Sequence, residues 1–147
     1  MLRTIDPRTT PELLYALARM GHGDEIAIVD TNFPSHTTAR SGPVIELAGV
    51  DAPTAAELVL KLVPLDTFVE SPCLRMEVVG DKDRWEPVHT QVQIAIDRHG
   101  DVKTRLVGID RFSFYDRAAK AFAVIRSNER RLYGCFLFKM GALAPDA

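Results

Sequence analysis

The sequence predicts an α/β fold, a single three-layer domain over residues 1–147 with a mixed central sheet flanked by helices. Three observations lead there. Apolar residues at helical spacing alternate with short apolar runs through most of the chain. The last third ends in two strand-like runs joined by a turn, a hairpin-like pair that makes the sheet mixed. The 147 residues are 46% apolar and 26% charged, enough to form one core without staples. No repeat, low-complexity tract or linker divides them.

Thr10-Pro11-Glu12 reads as a helix start: a capping hydroxyl, a proline for the first turn, and an acid for the positive end. Leu13, Leu14, Leu17 and Met20 repeat at helical spacing, and Gly21 or Gly23 offers a left-handed stop. Residues 25–30 read as a buried strand, 31–42 as a polar loop, and 44–47 as a short strand. Thr54-x-x-Glu57 has the form of a capping box. Leu58, Val59, Leu62 and Val63 then face inward until Pro64 stops the helix. Residues 74–79 form a strand that leads into the charged turn Gly80-Asp81-Lys82-Asp83. Val88, Val92, Ala95 and Ile96 predict a helix over 87–98, ended by His99-Gly100. Residues 106–109 make a short strand and 114–120 a short helix. Residues 121–126 and 133–139 are the closing strands, with Asn128-Glu129-Arg130 as the turn between them.

Eighteen basic and 20 acidic residues leave a formal charge of −2, and no basic block occurs. Neither nucleic acid nor a membrane surface is indicated as a partner. Cys73 and Cys135 form no CxxC pair and no zinc pattern, so they read as buried free thiols in a reducing compartment. The amino-terminal residues lack a long apolar segment, and no run approaches the roughly 20 residues that span a bilayer. The cytoplasm is the default location.

The polar groups that could carry chemistry are few. His22 sits between two glycines where a helix should stop. It reads as a general acid/base or as a polar helix-end residue facing water. Asp30 ends an apolar strand, where carboxylates face ligand crevices in α/β sheets or cap the following turn. His36, after Phe33-Pro34-Ser35, is a ligand contact or an exposed loop histidine. A metal set of His22, Asp30 and His36 has spacings that match no local metal motif. Arg111 beside Phe112 can hold a polyhydroxylated or anionic ligand, or form a surface ion pair. Tyr133-Gly134 opens the last strand with a ring that can stack on a sugar and a glycine that admits close approach; the alternative is a core aromatic. Cys135 has no neighbouring base in sequence and is rejected as a nucleophile. His89 and His99, at the two ends of one helix, read as bland.

These residues occur in a telling order. Leu2-Arg3-Thr4-Ile5, Pro11-Glu12-Leu13-Leu14 and Met20-Gly21-His22-Gly23-Asp24-Glu25 are followed by Asp30 and Phe33-Pro34-x-His36. Arg111-Phe112-Ser113-Phe114-Tyr115, Lys120-Ala121-Phe122-Ala123 and Tyr133-Gly134 come later. The chain resembles the L-fucose mutarotase and D-ribose pyranase family nearly end to end, and the Arg-Phe-x-Phe-Tyr block tilts it toward the fucose branch. The resemblance implies a cofactor-free isomerase that exchanges the anomers of a free monosaccharide. It implies His22 as the acid/base residue, with Asp30, Arg111 and the Tyr133-Gly134 segment as sugar contacts; His36 is a second acid/base candidate, and His36 and Cys135 complete the expected substrate-binding set. It also implies ring-shaped homo-oligomers, often decamers, with the site near a subunit boundary. Pyranose–furanose exchange of D-ribose and sugar binding without catalysis are the alternatives. Cys135 departs from the Asn usual after Tyr-Gly, and a thiol replaces an amide poorly because an amide both donates and accepts.

Overall fold

Thr10 caps α1 (Pro11–Arg19) as its signature predicts: its hydroxyl accepts the Leu13 N–H at 3.2 Å. The computed structural model describes residues 1–146. Met20 is already extended, so neither glycine provides a left-handed helix cap. Gly23, at φ +89°, instead turns the chain into β1 (Glu25–Val29). The stretch read as loop contains one helical turn, α2 (Ser35–Thr38), before β2 (Val44–Leu47).

The capping-box reading of Thr54 is corrected. Asp51 is the cap of α3 (Ala52–Leu60), and its carboxylate accepts the Thr54 N–H at 3.0 Å. The acceptor three residues upstream wins because Asp51 holds the extended backbone that a cap needs. β3 (Cys73–Met76) is shorter than expected, since the chain turns at Gly80 (φ +85°) after a bridge between Val78 and Asp81. α4 (Pro87–His99) and β4 (Val107–Ile109) follow. α5 (Arg111–Lys120) starts three residues before its apolar pattern does. Asp110 caps it by accepting the N–H groups of Phe112 and Ser113.

β5 (Ala123–Ser127) and β6 (Phe136–Lys139) are not the hairpin that the sequence suggests. The strand order is β2-β5-β1-β6-β3-β4, so β1 lies between them. The apolar alternation of β1 is satisfied on both faces, which makes it the central strand. It pairs parallel with β5 and antiparallel with β6. β2 and β4 also pair parallel with their neighbours, which leaves β6 as the single reversed strand among the described residues.

The three expected layers are present. Ile26 and Ile28 pack toward α1, α3 and α4, together with Leu13, Leu58, Val92 and Ile96. Ala27 and Val29 face the other side, with Phe114 and Ala118 of α5. Antiparallel β6 has a consequence for function. Its first residues lie beside the carboxyl ends of β1, β3, β4 and β5, where polar groups of α/β sheets gather.

Candidate active site

At that carboxyl edge Asp30 follows directly after β1 and is buried, 5% exposed. Its Oδ1 accepts the N–H groups of Asn32 and Phe33, both at 3.0 Å. The Cys135 thiol points at its Oδ2, 3.5 Å away. Burial pushes the Asp30 pKa above the ordinary carboxylate value, and this outweighs the bonds from Cys135, Asn32, Phe33 and Gly134. The carboxylate is therefore held rigidly but incompletely solvated, ready to gain from a new hydroxyl donor. Burial and the Asp30 charge also push the Cys135 thiol far up, so it is a neutral donor and no nucleophile.

The turn before β6 builds the wall beside Asp30. Tyr133 adopts a left-handed backbone, φ +62°, at a cost of about 1–3 kcal/mol for a non-glycine residue. Its hydroxyl accepts the Val79 N–H at 3.2 Å, and its carbonyl accepts from His89 Nε2 at 3.0 Å. Gly134 is required by space: a Cβ there would stand 2.6 Å from Glu129 Cγ and 3.5 Å from Asp30 Cβ. Glu129 is itself buried and gripped by Arg131, whose Nε and Nη2 each donate to it at 2.8 Å. Burial alone would raise its pKa; the Arg131 bonds win and hold it low.

Arg111 reaches the same edge from the first turn of α5. Its guanidinium lies 5.7 Å from the Tyr115 ring centre. Tyr115 in turn packs on Phe33, 4.8 Å between centroids, and the Phe33 N–H is one of the two bonded to Asp30 Oδ1. An open groove of about 560 Å³ runs between Arg111 and the Val79–Lys82 turn. Asp30, Arg111, Tyr133, Gly134 and Cys135 are thus brought together.

His22 is not among them. It lies before β1, at the opposite edge of the sheet from Asp30, and β1 alone is five residues, about 17 Å of extended chain. Its partner is Asp66, whose Oδ1 accepts from His22 Nε2 at 3.0 Å. A carboxylate only accepts, so Nε2 carries the proton and Nδ1 is left to exchange one. Asp66 is 3% exposed and also accepts the Phe68 N–H at 3.0 Å. That bond and the one from His22 hold its pKa below the ordinary value against the opposing effect of burial. The Phe68 ring lies 5.1 Å from the imidazole and is itself 79% exposed. His36 stands apart from both groups, paired to Glu46 Oε1 at 3.0 Å on the surface of β2. The metal set His22, Asp30 and His36 is therefore not assembled within one chain. His89 read as bland and Tyr115 entered only within the Arg111–Tyr115 block, while Asp66, Phe68 and Glu129 were not singled out as site residues. Only Asp66 carried a signal, as a lone carboxylate just after a helix-stopping proline.

A sequence profile of the RbsD / FucU transport protein family matches residues 3–143. The human protein named fucose mutarotase is 48% identical over 147 residues, covering 97% of this chain and 95% of the relative. A solved fucose mutarotase from Streptococcus pneumoniae, in complex with L-fucose, superposes with a TM-score of 0.88 at 34% identity, covering 97% of this chain and all of that one. Bacillus subtilis RbsD, complexed with D-ribose, has a TM-score of 0.75 over 98% of this chain and all of its own, at 18% identity, a likeness of fold. Among the described residues no helix is long and apolar enough to cross a membrane.

Proposed function

Because the chain belongs to the RbsD / FucU transport protein family, we propose that it is a cofactor-free mutarotase that interconverts the α and β anomers of free L-fucose. The observation that carries this reading is the full-length likeness to proteins named fucose mutarotase, at 48% identity in one case. The residues supply the chemistry. His22, with Nε2–H anchored on Asp66, takes the anomeric hydroxyl proton at Nδ1. The C1–O5 bond breaks, the ring oxygen receives the proton, and the aldehyde turns. The C5 hydroxyl then attacks the other face of C1 while the protons move back. No electrons leave the sugar, so the step needs no redox partner. One positioned acid/base contributes about 10²–10⁴-fold, enough for a reaction that already proceeds slowly unaided.

Asp30, Arg111 and the Tyr133-Gly134 segment hold sugar hydroxyls in this reading, and Cys135 fixes Asp30. His36, engaged with Glu46, takes no part. A single chain keeps the proton-transfer group and the sugar-holding group at opposite sheet edges, farther apart than a monosaccharide reaches. The working site therefore forms where the His22 edge of one copy meets the Asp30 edge of the next. That contact is head-to-tail, and a head-to-tail contact whose rotation closes makes a ring, the assembly this reading takes. Exposed apolar side chains on both edges support it: Phe68 on one, Val79, Phe112 and Leu132 on the other. The two buried free thiols support a cytoplasmic location.

Saturation-transfer NMR of α/β exchange in L-fucose tests the reading. Purified protein is expected to speed exchange and His22→Ala to abolish the gain. Binding without faster exchange would favour a sugar carrier. Preference for D-ribose in the same assay would favour the pyranase reading.

A further inference from the structure

His89 has no role in the chemistry above, and its place in the sequence gave no reason to look at it. It is nonetheless a fully buried histidine, 0% exposed, whose two ring nitrogens both bond to backbone at 3.0 Å. The two partners differ in kind. The Glu86 N–H can only donate, so Nδ1 is the unprotonated acceptor. The Tyr133 carbonyl can only accept, so Nε2 carries the proton. One tautomer of the neutral ring satisfies both, and a proton added at Nδ1 would face the Glu86 N–H donor.

The ring cannot swing to relieve a mismatch. Trp85 and Phe136 meet it edge-on, at 6.1 and 5.9 Å between centroids and 85° between planes. Two charged groups bear on it: Arg75, on β3, which disfavours a positive ring, and Glu86, at the start of α4, which favours one. Burial is the largest influence, and with Arg75 it pushes the His89 pKa below the ordinary value. Chemistry and surroundings therefore select the same neutral form.

The far end of this lock is the strained residue of the sugar-holding edge. Tyr133 has φ +62°, and its backbone sets the approach of Gly134 to Asp30 and the position of the hydroxyl that meets Val79. We infer that His89 is a positioning residue for the sugar site: its neutral Nε2–H tautomer, anchored on the first turn of α4, holds the left-handed Tyr133-Gly134 turn in register with Asp30. This inference rests on the proposed sugar-binding role of that edge. It gives α4, which lies behind the sheet, a direct hand in substrate affinity.

His89→Gln separates positioning from capping. A Gln at this helix position can still accept the Glu86 N–H, the usual second half of a capping box, but is too short to reach the Tyr133 carbonyl. The variant is expected to keep its far-UV spectrum. It should raise the L-fucose concentration for half-maximal exchange about fivefold, the equivalent of one neutral hydrogen bond, with a smaller change in maximal rate. The Val79 amide, which donates to the Tyr133 hydroxyl, should exchange with deuterium faster, while the α4 amides keep their protection. In the wild type at neutral pH, ¹⁵N spectra should show an unprotonated Nδ1 and a protonated Nε2. An unaltered half-saturation and unaltered Val79 exchange in His89→Gln would overturn the inference. So would a wild-type His89 ring that carries its proton on Nδ1 at neutral pH. If the wild type does not accelerate fucose exchange at all, the functional reading fails. The Val79 and ¹⁵N measurements then still decide whether His89 holds the turn.

Discussion

At the His22 edge the imidazole stands 46% exposed, on a carboxylate kept charged by short-range donors. At the Asp30 edge the carboxylate is buried, its pKa raised, and it is walled by a strained tyrosine, a space-restricted glycine and a neutral thiol. In the reading proposed above, the first edge moves the proton, and a small hollow of about 380 Å³ lined by Gly23, Asp24, Glu25 and Lys139 lies beside it. In the same reading, the second grips hydroxyls with a buried carboxylate. The difference underlies the proposal above that the two edges are half-sites, completed where copies of the chain meet.

The comparison breaks most sharply at His22. His22→Ala should lower fucose exchange by about 10²–10⁴-fold yet leave sugar binding at the Asp30 edge measurable by titration. Equal loss of both would mean that the edges are not separable. Next in size is Gly134→Ala. The added methyl must displace the Glu129 side chain, so unfolding in denaturant should register about 1–3 kcal/mol of destabilisation, with weakened sugar binding. The same substitution should not disturb the His22–Asp66 pair.

Acid should then divide the edges. Asp30 takes a proton at a higher pH than an ordinary carboxylate, so fucose affinity falls as pH drops through that raised value. Protonating it relieves a buried charge and costs no folding stability. Asp66 behaves the other way. Its contribution to stability is present above its unfolded pKa and is lost only as pH falls through its depressed folded value. A pH titration of fucose affinity beside one of thermal stability should show affinity fading first. The smallest effect is expected at His36. It forms an exposed pair with Glu46, and His36→Ala should change stability by less than about 1 kcal/mol and leave exchange unchanged.

Much of this was legible in the sequence where the signal was local. Thr10-Pro11 marked the start of α1, the i, i+4 and i+7 spacing from Val88 marked α4, and β1 and β2 fell where their apolar runs did. Asp30, Arg111 and Tyr133-Gly134 were grouped by the family resemblance alone, since local pattern placed Arg111 before a helix starting at 114 and Tyr133-Gly134 inside the last strand, where the structure has a helix start and a turn. What local pattern could not carry was strand order. Reading residues 121–139 as a hairpin ignored that β1, almost a hundred residues earlier in the chain, separates the two strands. The same limit explains His22 and Asp30. Eight positions apart in sequence, they look like neighbours, but an extended strand between them makes them opposites. The roles of His89 and Asp66 have no complete local signature because the Tyr133 carbonyl and His22 that define them lie 44 residues away in each case.

The central claim is that the His22 edge of one copy and the Asp30 edge of another make one site. The direct measurement is fucose exchange in protein co-expressed from His22→Ala and Asp30→Asn chains, each inactive alone. Random mixing should restore wild-type pairing at about a quarter of the head-to-tail contacts, and exchange should return in proportion. A mixed oligomer as inactive as either parent would show that both groups must come from the same chain, and would contradict the account.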